Sequence, residues 1–453
     1  MTANWKFSPA YYARSLNVLE TALNELDAYK SWRCFDPGRE YHVDARYAAM
    51  PALTKKDIRE HFPEGFVPAD YDVKRGLDSG EIEFVTTSGT IDISVTNIWN
   101  QKWWDASERA SWKLNSHANR FAAGSHREAI LGNPRNVGYI SDNFDLPMEK
   151  RRLSRFLYLN EKSDPLLWSP ELMDRMVDEL EIFQPAIVEA NPSLLARLCR
   201  YITASEKTVF QPGLIVLTYE YPTNFHYQQI RWVFDAPVAS SYGSTETGYV
   251  FMQCEEGKLH QNSEYCRVDF QPLKPEHGGP LLGRILITTF NNPWYYIVLF
   301  DVGDLVRIDG TGKCPCGRNS GLIVSAIEGR VANATLTCTD RLVTPRELDD
   351  AVSVLEGVDE YQLDQVSADI YELQLVSQRP DKERLSEDAT ESMKKLYGKE
   401  AKISVTYKDS LSPESSGKYR ISRANFPVKI DNYLDERYTL NKILIRDYFK
   451  VSK

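Results

Sequence analysis

The most informative part of the sequence is Ser240-Ser-Tyr-Gly-Ser-Thr-Glu-Thr-Gly248, a run of small and polar residues typical of a loop that follows a β-type segment. Gly243 lets the backbone approach a ligand closely because it has no side chain. Thr245 can hydrogen-bond a phosphate oxygen, and Glu246 is a hard oxygen ligand of the kind Mg²⁺ accepts. Tyr242 offers a flat face for a purine. These residues predict a magnesium nucleotide site, and a polar turn at a strand end is the alternative.

The string Tyr-Gly-Ser-Thr-Glu resembles the signature of the adenylate-forming enzymes, and its surroundings are similar to the phenylacetate-CoA ligase branch. The resemblance implies that Tyr242 stacks on adenine, that Thr245 meets the α-phosphate and that Glu246 holds magnesium. Gly243 and Ser244 then belong to the nucleotide-binding loop. We therefore expect an α/β fold, with a large N-terminal adenylate-forming domain of layered sheets and a small mobile α+β C-terminal domain.

A hydroxyl-rich turn follows a predicted strand at residues 83–85. Hydroxyls and turn amides suit a triphosphate. The family continues this phosphate loop with threonine, glycine and proline, whereas this chain has Ile91 and Asp92. Losing the glycine stiffens the loop, and the aspartate brings a like charge near the polyphosphate, which argues against fast pyrophosphate handling. The hydroxyl cradle that the resemblance assigns to ATP remains, as Thr86, Thr87, Ser88, Gly89 and Thr90.

Further motifs follow in the order that the superfamily shows. Glu220 matches a loop that lies against the nucleotide in the family. Tyr219 replaces a small residue of that loop, so we expect it to narrow the acyl pocket or the space at the adenine edge. Asp304 can accept hydrogen bonds from ribose hydroxyls, and a plain turn aspartate is the alternative. The resemblance brings Arg330 near the phosphate or ribose. It makes Lys418 the adenylation lysine, although a lysine in such a loop is ordinarily a solvated surface charge.

Strand and helix alternate in the middle of the chain, as in a doubly wound α/β layer. Helical patterns cover 171–183 and 193–204, and apolar runs suited to buried strands lie at 185–189 and 213–217. Loops at the carboxyl ends of such strands converge on one crevice, where ligands bind. The sequence therefore predicts that the loops of the motifs meet there.

The motif order predicts an N-terminal domain at 1–328, a hinge at 329–333 and a C-terminal domain at 334–453. Ala332 stands where relatives have an acidic hinge residue. A hinge depends on a flexible backbone more than on a particular side chain, so we expect the C-terminal domain still to move. Residues 430–453 are rich in apolar side chains, and they either pack back on the domain or join a partner.

The segment after residue 137 falls where relatives line the site of the carboxylate substrate. An aromatic-rich helical segment at 99–122 flanks that position in the family, although such a stripe is more often core. These observations predict an aromatic acid as substrate. The candidate pocket residues are Tyr139, Ser141, Asn143, Phe144 and Tyr219.

A Cys-Pro-Cys-Gly-Arg turn at Cys314 and Cys316 joins with the upstream Cys254 and His260 to give four soft or borderline ligands. This number and type suit a closed structural zinc site. The Cys-x-Cys spacing is tighter than usual, so free thiols in a turn are the alternative. Many phenylacetate-CoA ligase relatives carry the pattern, which favours Zn²⁺, and Cys266 is a substitute ligand.

Composition limits the class of protein. The chain has 453 residues, of which 42% are hydrophobic and 26% charged, as in a globular protein of two or more domains. A net charge of −10 argues against nucleic-acid binding, and no apolar run suits a membrane span. The first residues lack a secretory layout, so we expect a cytoplasmic protein. Seven cysteines without such a layout argue against a disulfide framework, and a homodimer is left open.

The sequence thus predicts ATP-dependent, AMP-forming activation of a carboxylic acid through an acyl-adenylate, followed by transfer to the thiol of coenzyme A. Mg²⁺ on Glu246 and the ammonium of Lys418 would neutralise charge where two anions meet. One alternative is transfer to a carrier-protein thiol or an amine. Another is a nucleotide-binding protein without turnover, which the departures at 91–92 and at Ala332 favour.

Overall fold

The computed structural model describes residues 5–87, 94–134, 140–414 and 418–435. None of the helices in these ranges combines the length and the apolar character that crossing a membrane requires. In chain order the helices described are α1 (Pro9–Glu25), α2 (Val43–Ala49), α3 (Lys55–His61), α4 (Val73–Asp78), α5 (Gln101–Trp112), α6 (Ser116–Asn119), α7 (Pro170–Phe183), α8 (Pro192–Ala204), α9 (Asn224–Arg231), α10 (Pro345–Val352) and α11 (Lys382–Tyr397).

The strands are mostly short. In chain order those described are β1 (Glu83–Thr86), β2 (Thr96–Trp99), β3 (Glu128–Leu131), β4 (Arg152–Leu153), β5 (Phe156–Tyr158), β6 (Ile187–Ala190), β7 (Leu214–Leu217), β8 (Val238–Ser244), β9 (Gly248–Gln253), β10 (Leu259–Gln261), β11 (Cys266–Pro272), β12 (Leu282–Thr289), β13 (Phe300–Ile308), β14 (Ile323–Arg330), β15 (Thr335–Leu336), β16 (Leu342–Val343), β17 (Val358–Gln365), β18 (Ile370–Ser377), β19 (Lys402–Lys408) and β20 (Ser422–Ala424).

The chain divides into two compact units, and neither is continuous in sequence. The first unit takes its described residues from 1–122, 242–327 and 430–453, and the second takes them from 123–241 and 328–429. Of the segment predicted as a C-terminal domain, residues 334–429 therefore share a unit with the middle of the chain, and the described residues from 430 onward belong to the first unit. The predicted domain limits and the mobility of the hinge stay predictions.

The first unit contains an antiparallel sheet in the order β11-β12-β13-β14-β10-β9 and a separate hairpin of β1 and β2. Its largest core cluster joins one face of helix α1 to aromatic side chains that follow strand β12 or begin strand β13. Leu19 and Leu23 of the helix belong to the same buried cluster as Phe290 and Phe300. Burial of such apolar side chains holds the helix on the sheet.

The second unit contains parallel strands in the order β8-β7-β6-β3-β5, with β4 antiparallel at the edge. All residues of β3, β6 and β7 are buried, as expected of parallel strands covered on both faces. Helices α7 and α8 supply a large share of the core that covers them. The strands predicted at 185–189 and 213–217 and the helices beside them are confirmed.

A smaller module of the same unit contains the sheet β19-β18-β17-β20, against which helices α10 and α11 pack. Its core also includes Phe225 of helix α9, from the middle of the chain. Hydrogen bonds reinforce this contact: the Asn224 amide donates to Asp349 at 2.8 Å, and the Gln229 side chain donates to the carbonyl of Asp359 at 2.9 Å. Arg200 forms an ion pair with Glu360. The predicted α+β module is therefore present.

Asp349 provides a pH-dependent contribution to the stability of this unit. Its carboxyl group is 1% exposed and accepts hydrogen bonds from the Asn224 amide and, at 2.9 Å, from the Tyr361 hydroxyl. Burial raises the pKa of Asp349 to about 6; the hydrogen bonds from Asn224 and Tyr361 oppose the rise, and neighbouring Asp350 adds to it. Because the folded-state pKa exceeds the unfolded value, the stabilisation is full below about pH 4 and is lost as the pH rises through 6.

We expect this group to lower the free energy of unfolding by about 2 kcal/mol between pH 4.5 and pH 7.5. Asp349→Asn should remove that dependence, because the amide is neutral and can both accept from Asn224 and donate to Tyr361. Denaturant unfolding at pH 4.5 and pH 7.5 measures the difference. Asp388→Asn, at an exposed position of the same module, is the control. An unchanged pH profile in Asp349→Asn would contradict the assignment.

Candidate functional site

The Ser240–Gly248 segment is mostly strand, which corrects the expectation of a loop. Residues up to Ser244 extend β8, Gly248 begins β9, and only the three residues between them form the turn. A side chain at Gly243 would collide with the carbonyl oxygen of Gly248, which itself has φ +70°. The Ser244 and Thr247 hydroxyls lie 3.0 Å apart and close the turn. The two glycines are thus required by the tight hairpin.

Trp99 holds this turn in place. Its indole N–H donates to the carbonyl of Thr245 at 2.9 Å, and its ring stacks on Trp104 with centroids 3.9 Å apart. Trp99 ends strand β2, so the hairpin that carries the predicted phosphate loop also fixes the backbone of Thr245. Residue pattern alone does not indicate this contact, because it assigns the tryptophan to a helical aromatic stripe.

Glu246 presents a nearly buried carboxylate. It is 7% exposed, and no residue in the described ranges forms a hydrogen bond or ion pair with it. Burial of an unpaired charge is costly, so the position calls for a cation. Tyr295 lies beside it: burial and then the charge of Glu246 raise the pKa of the Tyr295 hydroxyl. That buried hydroxyl also has no hydrogen-bond partner among the described residues. The donor set fits Mg²⁺, which Glu246 would hold.

Tyr242 and Asp304 are brought together by strands β8 and β13. The tyrosine hydroxyl donates to the aspartate carboxylate at 2.7 Å, and Asp304 is buried. The Tyr242 ring is tilted against Phe251, with centroids 5.8 Å apart. The structure therefore pairs the residues assigned to adenine and to ribose, and their contacts with a nucleotide stay predictions.

The described part of the predicted phosphate loop is Thr86 and Thr87. The Thr86 hydroxyl lies 3.1 Å from that of Thr96, across the hairpin. The Thr87 hydroxyl accepts from the Val95 amide at 3.1 Å, so its own proton can still be donated to a ligand. Outside the described residues lie Ser88, Gly89 and Thr90, together with the departures Ile91 and Asp92.

Glu220 has contacts in the second unit that the sequence does not predict. One carboxylate oxygen accepts from the Ser193 amide at 3.1 Å, and the other accepts from the Tyr419 amide at 3.0 Å. Burial raises the pKa of Glu220, and these hydrogen bonds oppose the rise. Tyr419 directly follows Lys418, so the glutamate contacts the segment that carries the predicted adenylation lysine.

Tyr219 extends over the ends of strands β3 and β6. Its backbone has φ +77°, and its hydroxyl donates to the buried carboxylate of Glu189. Burial, and then that carboxylate, raise the pKa of Tyr219. A side-chain carbon added at Gly132 would lie 3.5 Å from the tyrosine ring. The ring thus fills space at the carboxyl edge of the sheet, and its effect on a substrate pocket stays a prediction.

Three other candidate pocket residues, Ser141, Asn143 and Phe144, lie in a loop of the second unit, and Ser141 is buried. The Ser141 amide donates to the carbonyl of Glu161 at 2.9 Å, and its hydroxyl donates to the carbonyl of Phe144. Phe144 is 64% exposed, and Asn143 is exposed as well. Tyr139 lies outside the described residues. Contact of this loop with a substrate stays a prediction.

The predicted hinge is connected to helix α10 through its flanking residue. The buried carboxylate of Glu328 accepts from the Thr344 hydroxyl at 2.7 Å, and Thr344 caps the helix. Arg330 ends strand β14, and Ala332 lies in the short turn Val331–Asn333 that follows it. The carbonyl of Asn333 accepts from the Ser422 hydroxyl at 2.6 Å. The role of Arg330 at a nucleotide stays a prediction.

The four predicted metal ligands form one cluster in the first unit. The sulfur atoms of Cys254 and Cys314 are 3.7 Å apart, and Cys316 Sγ is 3.4 Å from His260 Nε2. All four ligand atoms lie within 4.8 Å of one another. Zinc–sulfur bonds of about 2.3 Å imply a tetrahedral edge of about 3.8 Å, so the spacing fits Zn²⁺.

The surroundings of the cluster also suit a metal. Burial lowers the pKa of His260 to about 4, which keeps the imidazole neutral as ligation requires. The Cys254 amide donates to the carbonyl of Lys258, and the Cys314 amide donates to the Asn319 side chain, so two turns position the thiols. Cys266 is not a member, because its thiol contacts the carbonyl of Asn262 instead. The four ligands would close the coordination sphere.

No protein-family model matches the chain, and no curated protein matches its sequence. Solved structures of 2-hydroxyisobutyryl-CoA ligase are similar in fold. In the postadenylation state with R3-HIB-AMP, the TM-score is 0.67 at 16% identity, covering 97% of this chain and 92% of the other. An open conformation with 2-HIB-AMP and CoA gives 0.55 at 15% identity, covering 92% and 91%.

Similarity at this level of identity shows the fold, and function depends on the site. The predicted α/β fold class is confirmed over nearly the whole chain, while the phenylacetate-CoA ligase branch stays a prediction. The chain therefore has the fold of the adenylate-forming ligases, the superfamily whose motifs its sequence resembles.

Proposed function

We propose that the chain activates a carboxylic acid with ATP through an acyl-adenylate and transfers the acyl group to the thiol of coenzyme A. The observation that carries this proposal is the nearly buried carboxylate of Glu246, which is unpaired among the described residues. Glu246 lies in the turn of the hairpin that begins with Tyr242, and the Tyr242 hydroxyl donates to Asp304. The fold adds support, because the similar ligase structures hold an acyl-AMP with or without CoA.

In the first half-reaction a carboxylate oxygen attacks the α-phosphorus of ATP. The new bond joins that oxygen to phosphorus, the bond to the β-phosphate oxygen breaks, and pyrophosphate leaves. Both reactants are anions, so positioning and charge neutralisation dominate catalysis. The Thr245 hydroxyl and the Lys418 ammonium would donate to phosphate oxygens. Mg²⁺ bound to Glu246 would supply further positive charge. The acid is already ionised, so a general base is unnecessary.

In the second half-reaction a thiolate attacks the carbonyl carbon of the mixed anhydride. A carbon–sulfur bond forms, the carbon–oxygen bond to phosphate breaks, and AMP leaves with the electron pair. The thiol proton passes to solvent. We propose CoA as the acceptor, with a carrier-protein thiol or an amine as the alternative. The hinge at 329–333 would allow the module that carries Lys418 to move between the two steps.

We further propose an aromatic acid and the phenylacetate-CoA ligase branch. The support comes from the motif resemblance and from two aromatic side chains in the second unit, the Tyr219 ring and the exposed Phe144. The Cys254, His260, Cys314 and Cys316 cluster would hold a structural Zn²⁺. Four protein ligands would leave it no open position, so its effect would be on stability.

A screen of carboxylic acids for ATP-dependent pyrophosphate release tests the function. The panel should contain aryl-acetic, benzoic, short aliphatic and hydroxy acids, with Mg²⁺ and then with CoA as trap. We expect at least one acid to release pyrophosphate and to yield an acyl-CoA. Glu246→Gln should lower the rate about 10²-fold and raise the Mg²⁺ concentration needed, because a neutral amide binds the ion weakly. Glu264→Gln, at an exposed position of the same unit, is the matched control.

The other outcomes separate the alternatives. An adenylate that hydroxylamine traps but CoA does not would favour an amine or carrier-protein acceptor. Tight binding of ATP without pyrophosphate release for any acid would overturn the proposal in favour of a nucleotide-binding protein. Equal rates for Glu246→Gln and the wild type would remove Glu246 from the metal site.

A further inference from the structure

We propose that Glu220 is a positioning residue, which fixes the segment carrying Lys418 in the arrangement that adenylation requires. The inference rests on the proposed function. Its basis is a carboxylate bridge between two backbone amides that are distant in sequence: Ser193 at 3.1 Å and Tyr419 at 3.0 Å.

One end of the bridge belongs to the rigid part of the second unit. Ser193 lies in the first turn of helix α8, where Asn191 caps the helix by accepting from the Ser193 and Leu194 amides at 3.0 and 3.2 Å. A helix N-terminus favours a negative charge beside it. The loop that carries Glu220 is held as well, because the Thr218 amide donates to the carbonyl of Ala190 at 3.0 Å. The carboxylate therefore has a fixed position.

The other end of the bridge is the peptide unit that joins Lys418 to Tyr419. Its N–H donates to Glu220, and its carbonyl, which belongs to Lys418, accepts from the Glu414 amide at 2.9 Å. Because a peptide unit is planar, holding both polar groups fixes its orientation and with it the Cα of Lys418. The ammonium group then reaches its working position through side-chain rotations alone. The effect on the lysine is therefore indirect.

A second contact keeps the lysine segment in shape without Glu220. The Glu414 carboxylate pairs with Arg420 at 2.8 Å, and the Arg420 carbonyl accepts from the Gln362 side chain at 2.9 Å. These interactions stay within the α+β module. Through the Tyr419 amide, Glu220 connects the described residues 418–420 to the loop that follows strand β7. Its removal should therefore displace the segment as a whole, and a displacement of about 1 Å can cost about 10²-fold in rate.

Glu220→Gln tests the role because the amide keeps the shape but offers one acceptor oxygen and one donor group. One of the two backbone amides then faces a donor. We expect acid-dependent pyrophosphate exchange to fall about 10²-fold in kcat, with the KM for ATP changed less than about threefold. Thioester formation from supplied acyl-adenylate and CoA should change less than about threefold. Glu181→Gln, exposed on helix α7, is the matched control.

A double-mutant cycle provides the decisive comparison. If Glu220 acts only through Lys418, Glu220→Gln should not slow a Lys418→Ala protein further. A further tenfold loss, or a raised KM for ATP, would overturn the proposal and support direct contact with the nucleotide. Should Glu220→Gln fail to fold, Glu220→Asp serves instead, because its shorter side chain keeps both oxygens but cannot span the two amides.

Hydrogen exchange separates failure of this inference from failure of the proposed function. The Tyr419 amide should be protected in the wild type and should exchange at least tenfold faster in Glu220→Gln, whether or not any acid is activated. Equal exchange in the two proteins would overturn the bridge itself. Increased exchange in a protein that activates no acid would contradict the function alone.

Discussion

Replacing Lys418 by alanine should lower acid-dependent pyrophosphate exchange by about 10³-fold, the largest effect on activity that we expect. In the proposed reaction a carboxylate meets a polyphosphate, and the ammonium group would offset the charge that develops on the α-phosphate oxygens. The loss should appear in kcat, because the contact strengthens in the transition state. Rapid-quench measurement of acyl-adenylate formation at saturating ATP gives the rate directly.

Two comparisons make the Lys418 result specific. Lys429→Ala, exposed in the same unit, should keep the full rate and controls for the loss of a surface charge. Thioester formation from supplied acyl-adenylate should remain nearly normal in Lys418→Ala, since no phosphate bond is made in that step. If Lys418→Ala retained exchange within about threefold of the wild type, the assignment to adenylate-forming chemistry would be wrong.

Loss of the proposed zinc site should have the largest effect on stability. In Cys314→Ser we expect the bound zinc to be lost and the free energy of unfolding to fall by on the order of 5 kcal/mol or more, because metal binding to the folded state contributes directly to folding. The ligands come from two turns, near Cys254 and near Cys314, that the metal would join. Metal analysis and thermal unfolding, with and without a strong chelator, measure both quantities.

Cys34→Ser is the matched control for the metal experiment, because this cysteine is exposed and lies outside the cluster. It should bind zinc and unfold as the wild type does. The prediction would be wrong if the wild-type protein bound no zinc and its unfolding temperature did not change with the chelator. The four side chains would then be three free thiols and an unliganded histidine. Activity measured below the unfolding temperature should change little in either case.

Local pattern predicts much of the second unit. The apolar runs that form β6 and β7 are short and bounded by turn residues, and the helices beside them have clear apolar faces. The extent of strand β8 is not predictable in this way, because Ser240–Ser244 has a loop composition. Strand β8 pairs with β7 through Val238, Ala239 and Ser240, and such non-local contacts are absent from a window of sequence.

The candidate site shows the same division. The sequence motifs predict Tyr242, Glu246 and the Cys254, His260, Cys314 and Cys316 cluster. The structure brings the four cluster side chains together, and the roles of Tyr242 and Glu246 stay predictions. The other contributors act through partners far away in the chain: Trp99 contacts Thr245, and the Tyr419 amide contacts a residue 199 positions earlier. A hydrogen bond from a backbone amide leaves no trace in residue type, so the role of Glu220 as a bridge required the structure.

The packing of Phe225 against side chains such as Val343 and Leu348 has a consequence for biosynthesis. The partners of this phenylalanine emerge from the ribosome about 120 residues after it, a delay of roughly 6–24 s at ordinary translation speeds. Throughout that interval the hydrophobic surface around Phe225 is exposed on the nascent polypeptide. Chaperones should therefore bind most often to nascent chains in which helix α9 has left the ribosome and strand β16 has not.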